Sequence, residues 1–548
     1  MPFLNFLARG KTARIDDRLA GRTGKVINEL DSPLDSLLGP ETDPVAAGMR
    51  LRELAADRTI TASELLRGLD LRRERLSSSD LAVIGGLLRL VHVVALRAVG
   101  GGGPDGEGRS RELVGEGDLD VAVIDRVLSA LPASTPNRFL LLHLLAIRRS
   151  RDSLAALVVW LRRDVAANWV EAGQVLSPLM QHPDWPIDAA FPELLETLGQ
   201  PALAAPVLDL ANFLVRGGRT GLHPARDRVE TLKHLLGEIT RRLDRFEEDP
   251  HSFGDDVATV QDRLGEAVAL AVSLCDTLGL LGDRSALGPL RQAMELRHRR
   301  VQCEAAGAAA RLGEEVGRQR LLELTADPAA RLRAIRYSDE LGLGDRVDPR
   351  WRDPEATAEA EMALWLSQPQ QMGVPPTEVE VVASRRLHWP SFSEPVDVRL
   401  VRFAYRFADR QYSNVGIAGP AVFAMSADVA DLPHDDIFSI YAGWHAEHPE
   451  IFSVSAEKLN EAQRRLMGPL ARHLEQSGYE SLRAELLGFL LDEHAGVFGA
   501  VRDGTECLVV TDGLETLDRA VAGRLRPLGA VEMFHWYKGR KLLRTFNG

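Results

Sequence analysis

The sequence predicts a mainly α-helical chain: an irregular α-solenoid, then a C-terminal α+β domain with an antiparallel sheet. Three observations lead there. Leu281-Gly282-Asp283 recurs as Leu312-Gly313-Glu314, and less cleanly as Leu341-Gly342 followed by Leu343-Gly344-Asp345. Helix-compatible apolar runs fill the intervals of about 30 residues, a period typical of helical hairpins that bury their apolar faces only by stacking. After Gln368 the helical period gives way to alternation, with Gly373-Val374-Pro375-Pro376 as the boundary.

Length and charge set the frame. At 548 residues the chain exceeds what one core supports and predicts two to four domains. A formal net charge of -13, from 66 basic and 79 acidic side chains, argues against nucleic-acid binding, which needs a basic face to displace counterions. It argues equally against an anionic membrane surface. Arginine far outnumbers lysine, a skew of GC-rich bacterial coding. Cys275, Cys303 and Cys507 form no C-x-x-C pair, which fits a reducing cytoplasm. Met1 to Arg18 lacks the pattern of a secretory signal. In the apolar run Leu81 to Val99, Arg89, His92 and Arg97 count against a membrane span.

The segments follow in order. Residues 1–40 form an N-terminal extension broken by Gly21, Gly24, Pro33 and Gly39-Pro40. Residues 41–99 read as helices, with Thr61 and Ser63 ahead of Glu64, and Ser78 to Asp80, in N-cap positions. Residues 100–117 are a Gly-rich flexible linker. Its Gly101-x-Gly103-x-x-Gly106 lacks the preceding strand that a dinucleotide fingerprint requires. Residues 118–370 return to helical periodicity, and residues 375–548 form the α+β domain. The stretch from Arg300 to Gly313, alanine-rich and ending in Leu-Gly, with a weaker copy from Ala330 to Gly342, resembles the short HEAT repeats of the phycobilisome-lyase type. That resemblance implies stacked helix pairs packed through small residues, and it leaves open a bilin-lyase-like or chaperone role for a tetrapyrrole-bearing partner.

In the last domain, Val396, Val398 and Leu400 are out of phase with Val401, Phe403, Tyr405 and Phe407, which predicts a strand with a bulge near Leu400. Tyr412 to Ala427 reads as a second strand, kinked at Gly416 and Gly419-Pro420. Helices are expected around 435–446, 456–476 and 479–492. Two hairpins are expected, one turning at Asp503-Gly504 and one at Lys538-Gly539 between strands 531–537 and 540–546.

Candidate sites are few. Gly10-Lys11-Thr12 lacks the upstream glycine of a phosphate loop, since Asn5 stands there. No His-Glu dipeptide and no G-x-S-x-G elbow occurs. His434, Asp435, His445 and His448 carry imidazole and carboxylate groups that could serve one divalent metal. Tyr412, Ser413 and Asn414, beside a glycine-rich strand, and Trp444 are the candidate binding residues. The expectation is a noncatalytic, cytoplasmic scaffold or adaptor that binds protein and needs no cofactor. A metal-dependent module in the last domain is the alternative.

Overall fold

The structure is a computed structural model describing residues 32–39, 43–100, 119–164, 168–368, 371–407, 410–521 and 526–547. The Gly-rich linker expected at 100–117 lies outside these residues apart from Gly100, as do residues 1–31 of the expected N-terminal extension. The chain divides into two compact units. The first holds the described residues up to Leu243 together with Arg263–Ala286, and the second holds Asp244–Asp262 and the residues from Leu287 on.

The first unit is helical. Thr61 caps helix Ala62–Leu71 in a reciprocal box with Glu64, and Asp80 accepts from the backbone N–H groups of Ala82 and Val83. Helix Val257–Leu281 is long and apolar enough to cross a membrane, but 61% of its most apolar window is buried inside the protein. Its buried hydroxyls are used internally. Thr277 donates to Asn212 Oδ1 at 3.0 Å, and His223 Nε2 lies 3.0 Å from the same oxygen. These bonds hold the part of the helix from Arg263 on inside the core of the first unit.

From Leu287 the second unit runs through helices Leu287–Met294, Arg299–Arg311, Glu315–Leu324, Arg331–Glu340 and Pro354–Leu366. The repeated Leu-Gly pairs end helices. Gly282, Gly313 and Gly342 have φ of 76°, 83° and 69°, the left-handed region that glycine enters without strain. At the latter two the following N–H reaches back five residues, Glu314 to Ala309 and Leu343 to Ser338, closing a Schellman cap. Gln302 and Arg331, 29 residues apart, do the same work one helix earlier. Gln302 donates to the Met294 carbonyl, and Arg331 donates to those of Thr325 and Ala326. The alanines permit close approach: a Cβ on Gly317 would meet Ala306 O, Ala309 Cβ and Ala310 N within 3 Å.

The switch from helix to strand falls between Leu366 and Glu378, near the expected boundary. The compact unit nevertheless reaches back to Leu287, because Ala358, Met362 and Leu366 pack on Val401, Phe403 and Tyr405 of the following sheet. Two antiparallel sheets follow. The first is four-stranded in the order β1 (Glu378–Leu387), β2 (Val396–Phe407), β3 (Arg410–Ala418), β4 (Phe423–Ala424). The second is five-stranded in the order β5 (Ile451–Ser455), β6 (Glu480–Leu490), β7 (Glu493–Arg502), β8 (Thr505–Thr511), β9 (Thr516–Ala520).

Both sheets are covered on both faces. Helix Pro354–Leu366 covers the outer face of the first, and helix Glu461–Gln476 that of the second, with Met467, Leu470 and Leu474 on Leu487, Phe498 and Val509. The inner faces share one core. Val398, Leu400, Val415 and Ile417 belong to it from the first sheet, and Leu486, Ala495, Val497 and Val510 from the second. Helices His434–His445 and Ala530–Asn547 supply its middle through Phe438, Tyr441, Phe534 and Tyr537.

These two inner helices cross at glycine. A Cβ on Gly443 would land on the His535 carbonyl, and one on Gly539 on the Ser439 carbonyl. Only hydrogen at both positions lets the backbones approach so closely.

Three local expectations need correction. Residues 479–492 contain strand β6 in place of a helix; Leu486 and Leu490 face the inner core while Leu487 faces the outer one, so burial on both faces mimics helical spacing. Residues 531–546 lie in one helix and form no hairpin, because Gly539 serves the helix crossing and makes no turn. The two phases of β2 are also two covered faces, one per core, on a strand whose pairing with β3 is unbroken. The bulge lies in β1, where register shifts between Val381 and Ala383. The hairpin at Asp503-Gly504 is present.

Alanine scanning of glycine should therefore give opposite signs. Gly237→Ala, in helix Val229–Glu248 with open space at its Cβ, should raise stability by about 0.5–1 kcal/mol. Gly539→Ala should lower it by at least about 2 kcal/mol through overpacking. Urea unfolding of the full chain reads both, and equal shifts would contradict the crossing.

Candidate functional site

Helix His434–His445 leaves its last turn at the surface beside β4. Gly419, with φ of 120°, turns the chain after β3 and brings Phe423 opposite Ile417. Trp444 follows the crossing glycine and lays its ring on Phe423, with centroids 4.0 Å apart and planes 5° from parallel. Trp365, at the end of helix Pro354–Leu366, meets Phe423 edge-on at 5.8 Å. His445 continues the row 5.9 Å from Trp444, and Phe392 stands edge-on to it at 6.0 Å. Trp444 is 37% exposed and Phe392 40%. The result is an aromatic ledge, supported from below by buried Tyr441 and Trp389.

Hydrogen bonds hold the ledge. Trp389 Nε1 donates to His445 Nδ1 at 2.9 Å, so His445 is neutral with its proton on Nε2. Burial lowers the His445 pKa, and the Glu447 charge offsets this in part. Tyr441 donates to the Val415 carbonyl at 2.8 Å and accepts from Met425 N at 3.1 Å, joining helix, β3 and the segment after β4.

The metal-ligand candidates do not converge. His434 and His445 are the two ends of one helix, about 16 Å apart along its axis. The helix stops at His445, and Ala446 is extended, so the three-residue spacing to His448 does not stack the rings. His448 Nδ1 accepts from Glu450 N at 3.2 Å, and exposed Asp435 lies 3.9 Å from Arg385. Among the described residues no group of three or more His, Cys, Asp or Glu is placed to hold a metal ion.

Of the binding candidates only Trp444 reaches the ledge. Asn414 is fully buried; its amide donates to the carbonyls of Met425 at 3.2 Å and Ala427 at 3.1 Å, tying that segment to β3. Tyr412 packs its ring against Phe403 and Tyr405 in the outer core. Ser413, half-buried between them on β3, joins no cluster with these residues. Sequence reading missed Trp365, Phe392 and Phe423. No spacing links them, because they come from three separate elements.

Comparison with protein-family models, curated proteins and solved structures returned no match.

Acid should weaken this unit. Burial lowers His445, and burial with the Lys538 charge lowers His535 to about 4. Below an ordinary histidine pKa of about 6.5 the unfolded chain binds protons that the folded chain refuses. Stability is therefore full above about pH 6.5 and falls as pH drops toward 4. Half-buried His298 in the same unit, and half-buried His143 and buried His223 in the first unit, each lowered to about 4 by desolvation, act in the same direction. Melting temperature measured from pH 7.5 to 4.5 should decline below pH 6.5; a flat or rising profile would contradict these environments.

Proposed function

We propose that the protein is a noncatalytic protein-binding adaptor, with the aromatic ledge as a main contact. The stacked Phe423–Trp444 pair, left partly open to solvent, carries the reading. Exposed tryptophan set on a rigid base has the composition of an interface hot spot, where truncation costs about 2 kcal/mol or more. The helices before Leu366 read as an irregular HEAT-like solenoid offering further surface. The Schellman caps at Gly313 and Gly342, and the matching roles of Gln302 and Arg331, support that part. The three cysteines are buried and none is in a disulfide, which fits a cytoplasmic setting.

The test is affinity capture with full-length wild type, Trp444→Ala and Phe392→Ala from cells that express the protein. Wild type should retain a defined protein set, and each variant should lose at least about ten-fold of it while melting normally. Equal capture by all three would remove the ledge from the account.

A further inference from the structure

The second unit repeats one plan twice. A helix, four antiparallel strands in sequential order and a closing helix run from Pro354 to His445, and again from Glu461 to Asn547. The sequence carries the repeat. Phe438, Tyr441 and Gly443 each precede Phe534, Tyr537 and Gly539 by 96 residues. In the sheets, Phe403 and Phe498 stand 95 residues apart, both in outer cores, and Val415 and Val510 stand 95 apart in the shared inner one. The crossing is reciprocal as well: Gly443 meets His535 and Gly539 meets Ser439, which are equivalent positions. That is the self-complementary pattern of a two-fold interface, here within one chain.

The halves differ at one edge. Strand β6 is the first strand of the second repeat, and its outer edge is covered by β5, which belongs to neither repeat. β5 pairs antiparallel with it, from Ile451 opposite Leu490 to Ser455 opposite Leu486. Leu486 and Leu490 in turn pair with Val497 and Glu493 of β7. The equivalents of those two, 95 residues earlier, are Arg402 and Val398, which pair with Glu380 and Arg385 of β1. The stretch Glu380–Arg385 is thus the counterpart of the β5-covered stretch. Yet β1 is the edge of its sheet, and β2 is its one strand partner among the described residues. It runs for ten residues without proline, and its middle, Val381-Val382-Ala383, is uncharged, with the bulge at Val382 as the one extra residue relative to Leu486–Leu490. An edge of this kind presents a row of backbone donors and acceptors ready for another strand.

We propose that the outer edge of β1 over Glu380–Arg385 is a strand-acceptor site for an extended, alternately apolar segment of a partner protein. The segment adds antiparallel, as β5 adds to β6. Backbone hydrogen bonds supply the affinity, and alternate side chains fall on the two faces already covered by helices. This surface is separate from the aromatic ledge and does not depend on it.

The experiment uses the full chain and a labelled synthetic peptide of the β5 sequence, Pro449 to Ala456, the one segment known to fit such an edge. Fluorescence anisotropy should detect binding below about 1 mM, and hydrogen exchange should slow at Glu380–Arg385 when peptide is present. The same peptide with Ser453→Pro, which loses a backbone donor and its extended pairing, should bind at least about ten-fold more weakly. Three results overturn the proposal: no binding at about 1 mM, protection confined to another segment, or equal binding by the proline peptide. Sedimentation of the free chain supplies a further test. A dimer with Glu380–Arg385 already protected would give the edge to a second copy and also overturn it.

Discussion

Two helix backbones touch where Gly443 passes Gly539. Each carbonyl one turn earlier, of Ser439 and His535, occupies the space that a side chain on the facing glycine would need. With even a methyl group there the helices would separate, and the shared core would open between Phe438, Tyr441, Phe534 and Tyr537. Gly488 repeats the device one layer out, since a Cβ there would overlap the Phe534 ring. Close packing of the inner layers thus rests on three missing side chains.

The surface features follow from that crossing. With Gly443 turned toward the partner helix, Trp444 is carried round to β4, where it finds Phe423. The two buried tyrosines diverge in their bonding. Tyr441 bonds to backbone, whereas Tyr537 donates toward Glu493 and Asp512 at 3.0 and 3.1 Å. Lys541, 2.9 Å from Asp512, and Arg540, 2.9 Å from Glu515, balance that acidic group. One half has put aromatic rings at its open end where the other has put an ion-pair network. The first leaves aromatic surface partly exposed, with Trp444 37% accessible; the second clamps the terminal helix to its sheet.

Much of the architecture was legible in the sequence because it depends on local rules. Leu-Gly endings mark left-handed caps, and the Asp503-Gly504 turn fixes a hairpin, whatever surrounds them. The errors arose where tertiary packing set the residue type. Gly539 has the appearance of a turn residue but is required by a neighbouring helix, and β6 has helical leucine spacing because two cores claim alternate faces. The repeated Phe-x-x-Tyr-x-Gly was present in the sequence and was the strongest clue to the doubled plan. The metal reading failed on geometry, since sequence proximity within a helix runs along its axis. The ledge was legible only at Trp444, as its other rings converge from elements far apart in sequence.

Native-state hydrogen exchange on the full chain tests the crossing most directly. If the two inner helices form one unit, the amides of Ile437–Ala442 and Met533–Lys538 will exchange at a common rate, through one shared opening that is the slowest in this unit. Should one helix exchange orders of magnitude faster than the other, the two halves would be held by something other than their glycine contact.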